Sequence, residues 1–197
     1  NRGINRENIF IEERNYSYFL QIYEKYIEPV AETFAYCLMR NHFHLLVRIK
    51  SQDEISFNSL APQLSNSQTP KVSETFGVLS PSHQFSRFFN AYAKSINKAL
   101  GRTGSLFRRP FGRVLISSNA QLWTVLVYIH QNPQKHRFVE DFRNWNWSSY
   151  KTLGMDQPTR LKRDTVLDWF GGRQAYLDLH AHKFSEAQRQ WPERDDD

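Results

Sequence analysis

Two histidines one residue apart, His42 and His44, stand in the run Asn41-His42-Phe43-His44-Leu45-Leu46-Val47, which reads as a strand. Side chains two apart on a strand share a face. Both imidazoles therefore project to one side with Leu46 and Arg48, while Phe43, Leu45, Val47 and Ile49 form an apolar face expected to pack on helices. Two neutral imidazoles at that separation can grip one divalent cation; a pair of ordinary sheet histidines is the competing reading. His180 and His182 repeat the spacing in a segment that reads as helical, where positions two apart diverge by about 200° and do not readily share a ligand. The second residue with chemical promise is Tyr92, on the apolar stripe of a helix that also carries Arg87, Lys94 and Lys98, with Arg102 just beyond. Nearby positive charge favours the ionised form of a phenol, whose reference pKa is about 10. A phenolate helped by a metal is suited to attack at phosphorus. A tyrosine on such a stripe can equally be core.

The elements that must position these residues are legible in outline. Asn5 to Phe10 reads as the end of a strand, and Asn15 to Tyr26 as a helix stopped by Pro29. Thr33 to Leu38 and His42 to Ile49 read as a hairpin around Met39-Arg40-Asn41. Residues 51–84 are read as a flexible insertion, with a weak helix around Glu54 to Leu64. Phe85 to Leu100 is the helix of Tyr92, closed by Gly101 and Gly104; Arg109 to Ile116 reads as a further strand. Asn119 caps a helix running to Gln131 and ended by Pro133, and another helical piece spans Asp164 to Lys183 before a charged tail. Strands interleaved with helices predict an α+β fold.

Composition narrows the function. The chain has 197 residues with Lys plus Arg at 26 against 20 for Asp plus Glu, a net charge of +6. The surplus is local. Between Glu74 and Glu140 there is no acidic residue, while Arg87, Lys94, Lys98, Arg102, Arg108, Arg109, Arg113, Lys135 and Arg137 all fall there. Such a stretch suits a polyanion, nucleic acid above all, and argues against a small-molecule substrate. One cysteine, Cys37, excludes an internal disulfide framework, and no apolar run is long enough for a membrane span. A reducing cytoplasm is the expected location. Because the sequence starts at Asn1 rather than Met, its natural N-terminus is expected to lie upstream.

Taken together, Met39-Arg40-Asn41-His42-Phe43-His44-Leu45-Leu46-Val47 resembles the His-hydrophobic-His signature of the HUH single-tyrosine transposases, and most of all their REP-associated branch. Tyr92-Ala93-Lys94-Ser95-Ile96-Asn97 resembles the tyrosine helix of that family, and Gly104-Ser105-Leu106-Phe107 with Arg108, Arg109 and Arg113 its following basic stretch. Tyr128-Ile129-His130-Gln131-Asn132-Pro133 and Trp147-Ser148-Ser149-Tyr150 resemble its distal landmarks. The resemblance implies a catalytic domain over residues 1–150, with a helical extension and tail over 151–197. It implies a ferredoxin-like core, an antiparallel sheet with helices on one face. It also implies cleavage and rejoining of single-stranded DNA next to hairpins, with His42 and His44 holding Mg²⁺ or Mn²⁺ and Tyr92 forming a 5′-phosphotyrosine link. A homodimer with exchanged helices is one arrangement it allows.

Two departures stand out. Most of the family's first strand is lacking, and where the family commonly has a third ligand one turn past the tyrosine, Ile96 cannot ligate. Asn97 is the nearest substitute, about 140° around the helix from Tyr92. Lys94, Lys98, Arg102, Arg108, Arg109 and Arg113 are the expected DNA contacts, anchoring the backbone rather than reading bases. Trp145 and Trp147 are available to stack on unpaired bases or to fill the core. Two other functions compete: a catalytically silent binder of hairpin DNA, and a metal-dependent phosphodiesterase with water as nucleophile.

Overall fold

Residues 1–55 and 80–182 are described by the computed structural model. Residues 56–79 of the expected insertion, and the tail from residue 183, lie outside them. In chain order the elements are α1 (Glu13–Tyr26), β1 (Ala31–Met39), β2 (His42–Ile49), α2 (Pro81–Ala99), α3 (Asn119–Lys135), α4 (Tyr150–Gly154), α5 (Arg163–Phe170) and α6 (Arg173–His182), with 3₁₀ turns at Ile4–Arg6 and Phe142–Asn144. The class is α+β, with one antiparallel hairpin and a helical C-terminal part. The described residues gather into two compact units that interleave along the sequence. One comprises Asn1–Glu12, Thr33–Val47 and the residues from Ser105 onward; the other comprises Glu13–Glu32 and Arg48–Gly104.

In the first unit, short pairings widen the β1–β2 hairpin on both sides. Beyond β1, Leu38 N–H donates to Trp147 O and Ser149 N–H to Tyr36 O. Beyond β2, the Asn1–Gly3 segment exchanges hydrogen bonds with Asn41 and Phe43, and Arg108 N–H returns to Arg2 O. Gly3 is required here, since a Cβ would lie 2.1 Å from Glu7 O. No strand forms over Asn5 to Phe10: the pairing lies upstream at Arg2 and Gly3, Asn5 at φ 52° belongs to the 3₁₀ turn, and Ile9 and Phe10 donate their N–H groups to Arg40 O. Nor does Arg109 to Ile116 form a strand: it has no ladder among the described residues, and its backbone pairing stops at Phe107 and Arg108.

Helix α3 supplies the main support of the hairpin. Ala35, Cys37, Met39 and Leu46 join Val125, Leu126, Val127, Tyr128 and Ile129 in one buried cluster, completed by Leu153, Val166 and Tyr176 from α4, α5 and α6. Ser118, not Asn119, caps α3, its Oγ accepting from Gln121 N–H. Pro133 sits in the last turn rather than ending the helix. The stop comes at Arg137, at φ 59°. There the N–H of Phe138 reaches Pro133 O and that of Arg137 reaches Gln134 O, the paired bonds of a Schellman cap. The expected helix over Asp164 to Lys183 is two helices, divided where Gly171 takes φ 81° and Gly172 φ 113°.

The second unit rests on α1 against α2. Ser80 and Pro81 start α2, Pro at the first helical position having no N–H that the helix would use. Phe19 sets its ring edge-on to Phe88 at 4.8 Å and to Tyr92 at 5.1 Å, and Tyr23 meets Phe88 at 5.6 Å. The Tyr18 hydroxyl lies 2.7 Å from Ser95 Oγ. No helix among the described residues is long and apolar enough to cross a membrane.

Candidate functional site

Strand β2 sets His42 and His44 on one face, as alternation requires, with ring centroids 5.3 Å apart and planes nearly perpendicular. That face is not the open one expected from sequence. His42 is buried and His44 half-buried, because α3 lies across them. Tyr128 meets the edge of His44 at 5.6 Å and His136 that of His42 at 4.8 Å. Conversely, Ile49 on the supposedly packed face is 46% exposed. Alternation assigns residues to two faces but does not say which face a helix covers.

The chemistry of His42 follows from its neighbour. His42 Nδ1 lies 2.7 Å from Asn41 Oδ1, and an amide oxygen only accepts, so Nδ1 carries the hydrogen and Nε2 the lone pair. A hydrogen bond of this kind fixes the tautomer of a metal-binding imidazole. The Nε2 atoms of His42, His44 and His136 are all buried. Among the described residues no group of three His, Cys, Asp or Glu side chains is placed so that it could hold a metal ion. The donors of the pair, neutral imidazole nitrogens with one tautomer fixed from behind, suit a divalent cation.

Sequence reasoning missed His136, and it named Tyr128 only within a distal landmark and Lys135 only among the local cations, without placing either at the histidine pair. Lys135 stands 4.9 Å above the Tyr128 ring, the ring that meets His44. The available signal was helical spacing: Tyr128 and Lys135 are seven apart on α3 and so share a face.

Tyr92 belongs to the second unit and is wholly buried, packed by Phe19 and by Tyr18 at 6.2 Å. Its phenol is pushed well above the ordinary tyrosine value, by burial first and then by Tyr16 and Tyr18. The expected lowering by Lys94 and Lys98 is absent because both lie on the exposed side of α2. Asn97 spends both ends of its amide on the close of that helix: Nδ2 donates to Gly104 O at 2.8 Å, and Oδ1 accepts from Arg102 at 3.0 Å. Arg102 is thereby tied to the helix end. Arg108, Arg109 and Arg113 are exposed on the first unit, Arg113 lying over the Phe111 ring. Val114 and Leu115 beside them are exposed too, Leu115 by 85%. Trp145 is a structural residue, its Nε1 donating to Leu38 O at 2.9 Å while its ring meets Phe138.

A second histidine cluster lies deep in the first unit. His130 and His180 are fully buried, with His130 Nδ1 2.8 Å from His180 Nε2 and His130 Nε2 2.8 Å from Ser149 Oγ. His180, set aside with His182 in the sequence, thus pairs with a residue fifty positions away. Burial lowers the pKa of both, and that of His180 falls to about 4.

Over 122 residues the chain is 29% identical to a protein of Haemophilus influenzae that carries the provisional name REP-associated tyrosine transposase. The match covers 60% of this chain and 58% of that protein, so the chain spans less than two thirds of this relative. No family model matches the sequence, and no solved structure matches it.

Proposed function

We propose that this chain is a metal-assisted DNA strand transferase of the tyrosine-transposase kind, acting on single-stranded DNA beside a hairpin. The observation that carries the reading is the His42–His44 pair with its tautomer fixed by Asn41. The resemblance to the Haemophilus protein supports the same class. A divalent cation, Mg²⁺ or Mn²⁺, held by His42 and His44 would polarise the scissile phosphate.

The chain's own residues supply the rest. Tyr92 Oη, having lost its proton, attacks phosphorus; the bond from phosphorus to the 3′ oxygen breaks. The products are a 5′-phosphotyrosine link and a free 3′-hydroxyl, which takes up a proton. Attack by another 3′-hydroxyl on the link reverses the step and joins the strands without ATP. Burial holds the Tyr92 phenol protonated, so the reactive form is one in which it has left the pocket beside Tyr18 and Phe19. Arg108, Arg109 and Arg113, with Lys94 and Lys98, hold the DNA backbone. The same burial gives weight to a second reading, a phosphodiesterase in which water attacks in place of the phenol.

The test is covalent trapping. The protein is incubated with single-stranded hairpin DNA and Mn²⁺, alongside Tyr92→Phe and His44→Ala. The strand-transferase reading expects an SDS-resistant adduct that both substitutions abolish. Cleavage that persists in Tyr92→Phe would transfer the case to water. Binding with neither adduct nor cleavage, over several hairpin sequences, would make the chain a silent hairpin binder.

A further inference from the structure

The resemblance leaves the third metal ligand unassigned, since Ile96 has no donor atom and the amide of Asn97 is spent on Gly104 and Arg102. The first unit offers another donor. His136 caps the C-terminal end of α3, its N–H bonded to Asn132 O at 2.9 Å, and the Schellman bonds of Arg137 and Phe138 fix that end. Its ring lies against His42 at 4.8 Å with the planes 77° apart, and His42 in turn lies against His44 at 5.3 Å with the planes 89° apart. Three imidazoles in successive edge contact, each with a buried Nε2, form a row beneath one helix end.

We infer that His136 is the third ligand of the cation proposed for His42 and His44, an assignment that rests on the metal-assisted reading above. Two physical arguments support it. The C-terminal end of a helix carries partial negative charge on its last carbonyls, which favours a cation there. His136 is also only half-buried, so rotation about its side-chain torsions can turn Nε2 onto the pair without moving the backbone. As placed, no group of three His, Cys, Asp or Glu side chains among the described residues could hold a metal ion, so the assignment requires that rotation of His136.

A consequence follows for the metal. Three nitrogen donors favour borderline transition ions such as Co²⁺ or Zn²⁺ over Mg²⁺, which prefers oxygen and keeps its waters. The assignment therefore predicts tighter binding of Co²⁺ or Mn²⁺ than of Mg²⁺ to the unaltered chain, whichever ion serves in the reaction.

The experiment titrates the full chain with Co²⁺, followed by visible absorption and calorimetry, with Mg²⁺ as the comparison. His136→Phe keeps a ring against His42 and removes the nitrogen; His136→Ala removes both; circular dichroism checks that each variant is folded. The expected result is Co²⁺ binding by the unaltered chain that weakens at least tenfold in both variants, with a changed absorption spectrum, and that is lost in His44→Ala. Binding in His136→Phe within twofold of the unaltered chain, with His44→Ala still abolishing it, would overturn the His136 assignment and leave the metal-assisted reading standing. If the unaltered chain takes up no Co²⁺, Mn²⁺ or Mg²⁺, the metal-assisted reading falls and the assignment falls with it.

Discussion

Acid should destabilise the first unit well before its carboxylates titrate, and the cause is the buried pair His130 and His180. The hydrogen bonds fix where the protons are. His180 Nδ1 lies 2.7 Å from Tyr176 O, a group that only accepts, so Nδ1 carries the hydrogen and Nε2 is an acceptor. His130 Nδ1 must then donate to that Nε2, while Ser149 Oγ, in reach of both His130 Nε2 and Tyr36 O, has a single hydrogen for one of them. Burial keeps both rings neutral, and a further proton on His180 Nε2 would set two donors face to face. Tyr150 and Tyr176 surround the pair with phenol rings rather than carboxylates.

The sign follows from linkage. His180 has a folded pKa of about 4 against about 6.5 for an unperturbed imidazole, so between those values the unfolded chain binds more protons than the folded one. The stability contribution is intact above pH 6.5 and is lost as pH falls toward 4. At pH 5 the loss from His180 alone is about 2 kcal/mol, and His130, shifted in the same direction, adds to it. His130 contributes with the same sign, so a total slope is not diagnostic. A difference is. In His180→Phe the new ring meets the same aromatic neighbours, and the His180 share of the slope disappears. Urea unfolding at pH 7, 6 and 5 should therefore show the unaltered chain losing about 2 kcal/mol more than the variant between pH 7 and 5. At pH 7 the variant itself should be weaker by about 1–3 kcal/mol, because His130 Nδ1–H is left without its acceptor. Equal slopes in the two proteins would refute the neutral buried pair.

Two further outcomes follow from the geometry. Arg137→Gly should raise stability by about 0.5–1 kcal/mol in thermal unfolding, because φ 59° costs a side chain more than glycine's extra entropy; an unchanged or lower midpoint would contradict it. Replacing Arg108, Arg109 and Arg113 together by Ala should reduce the slope of log affinity against log salt for single-stranded DNA by about 2, at about 0.7 per phosphate contact. An unchanged slope would remove these exposed cations from the DNA surface.

How much of this was legible depends on whether the determinant is local. The hairpin is local: the strand-forming run from His42 to Ile49 and a short turn gave the strand and the shared face of the two histidines. The helices of Phe19 and Tyr92 were equally plain, since an apolar stripe at helical spacing describes α1 and α2 within a few residues. What failed depends on distant partners. Arg109 to Ile116 has the side chains of a strand, but strands are made by ladders, and the pairing available to this segment ends at Arg108. His180 reads as half of a poor helical pair until His130 is folded against it from α3. The third imidazole was invisible for the same reason, since nothing near His42 in sequence announces residue 136.

The case of Tyr92 is different, because there the sequence supports two incompatible roles at once. Its place on the stripe of α2 makes it a core residue, and the structure has it so, wholly buried between Phe19 and Tyr18. The cations near it in sequence are turned away, so nothing on α2 lowers its pKa, and burial raises it. A nucleophile cannot act from such a position, yet a hydroxyl on an aromatic ring lowers the cost of leaving it. An aromatic side chain with a polar tip has a smaller cost of leaving the core than phenylalanine, since the hydroxyl regains water when the ring comes out. The proposed chemistry therefore requires a second state of this side chain, outside the pocket. The balance between the two states is set by the same ring contacts that made the stripe legible.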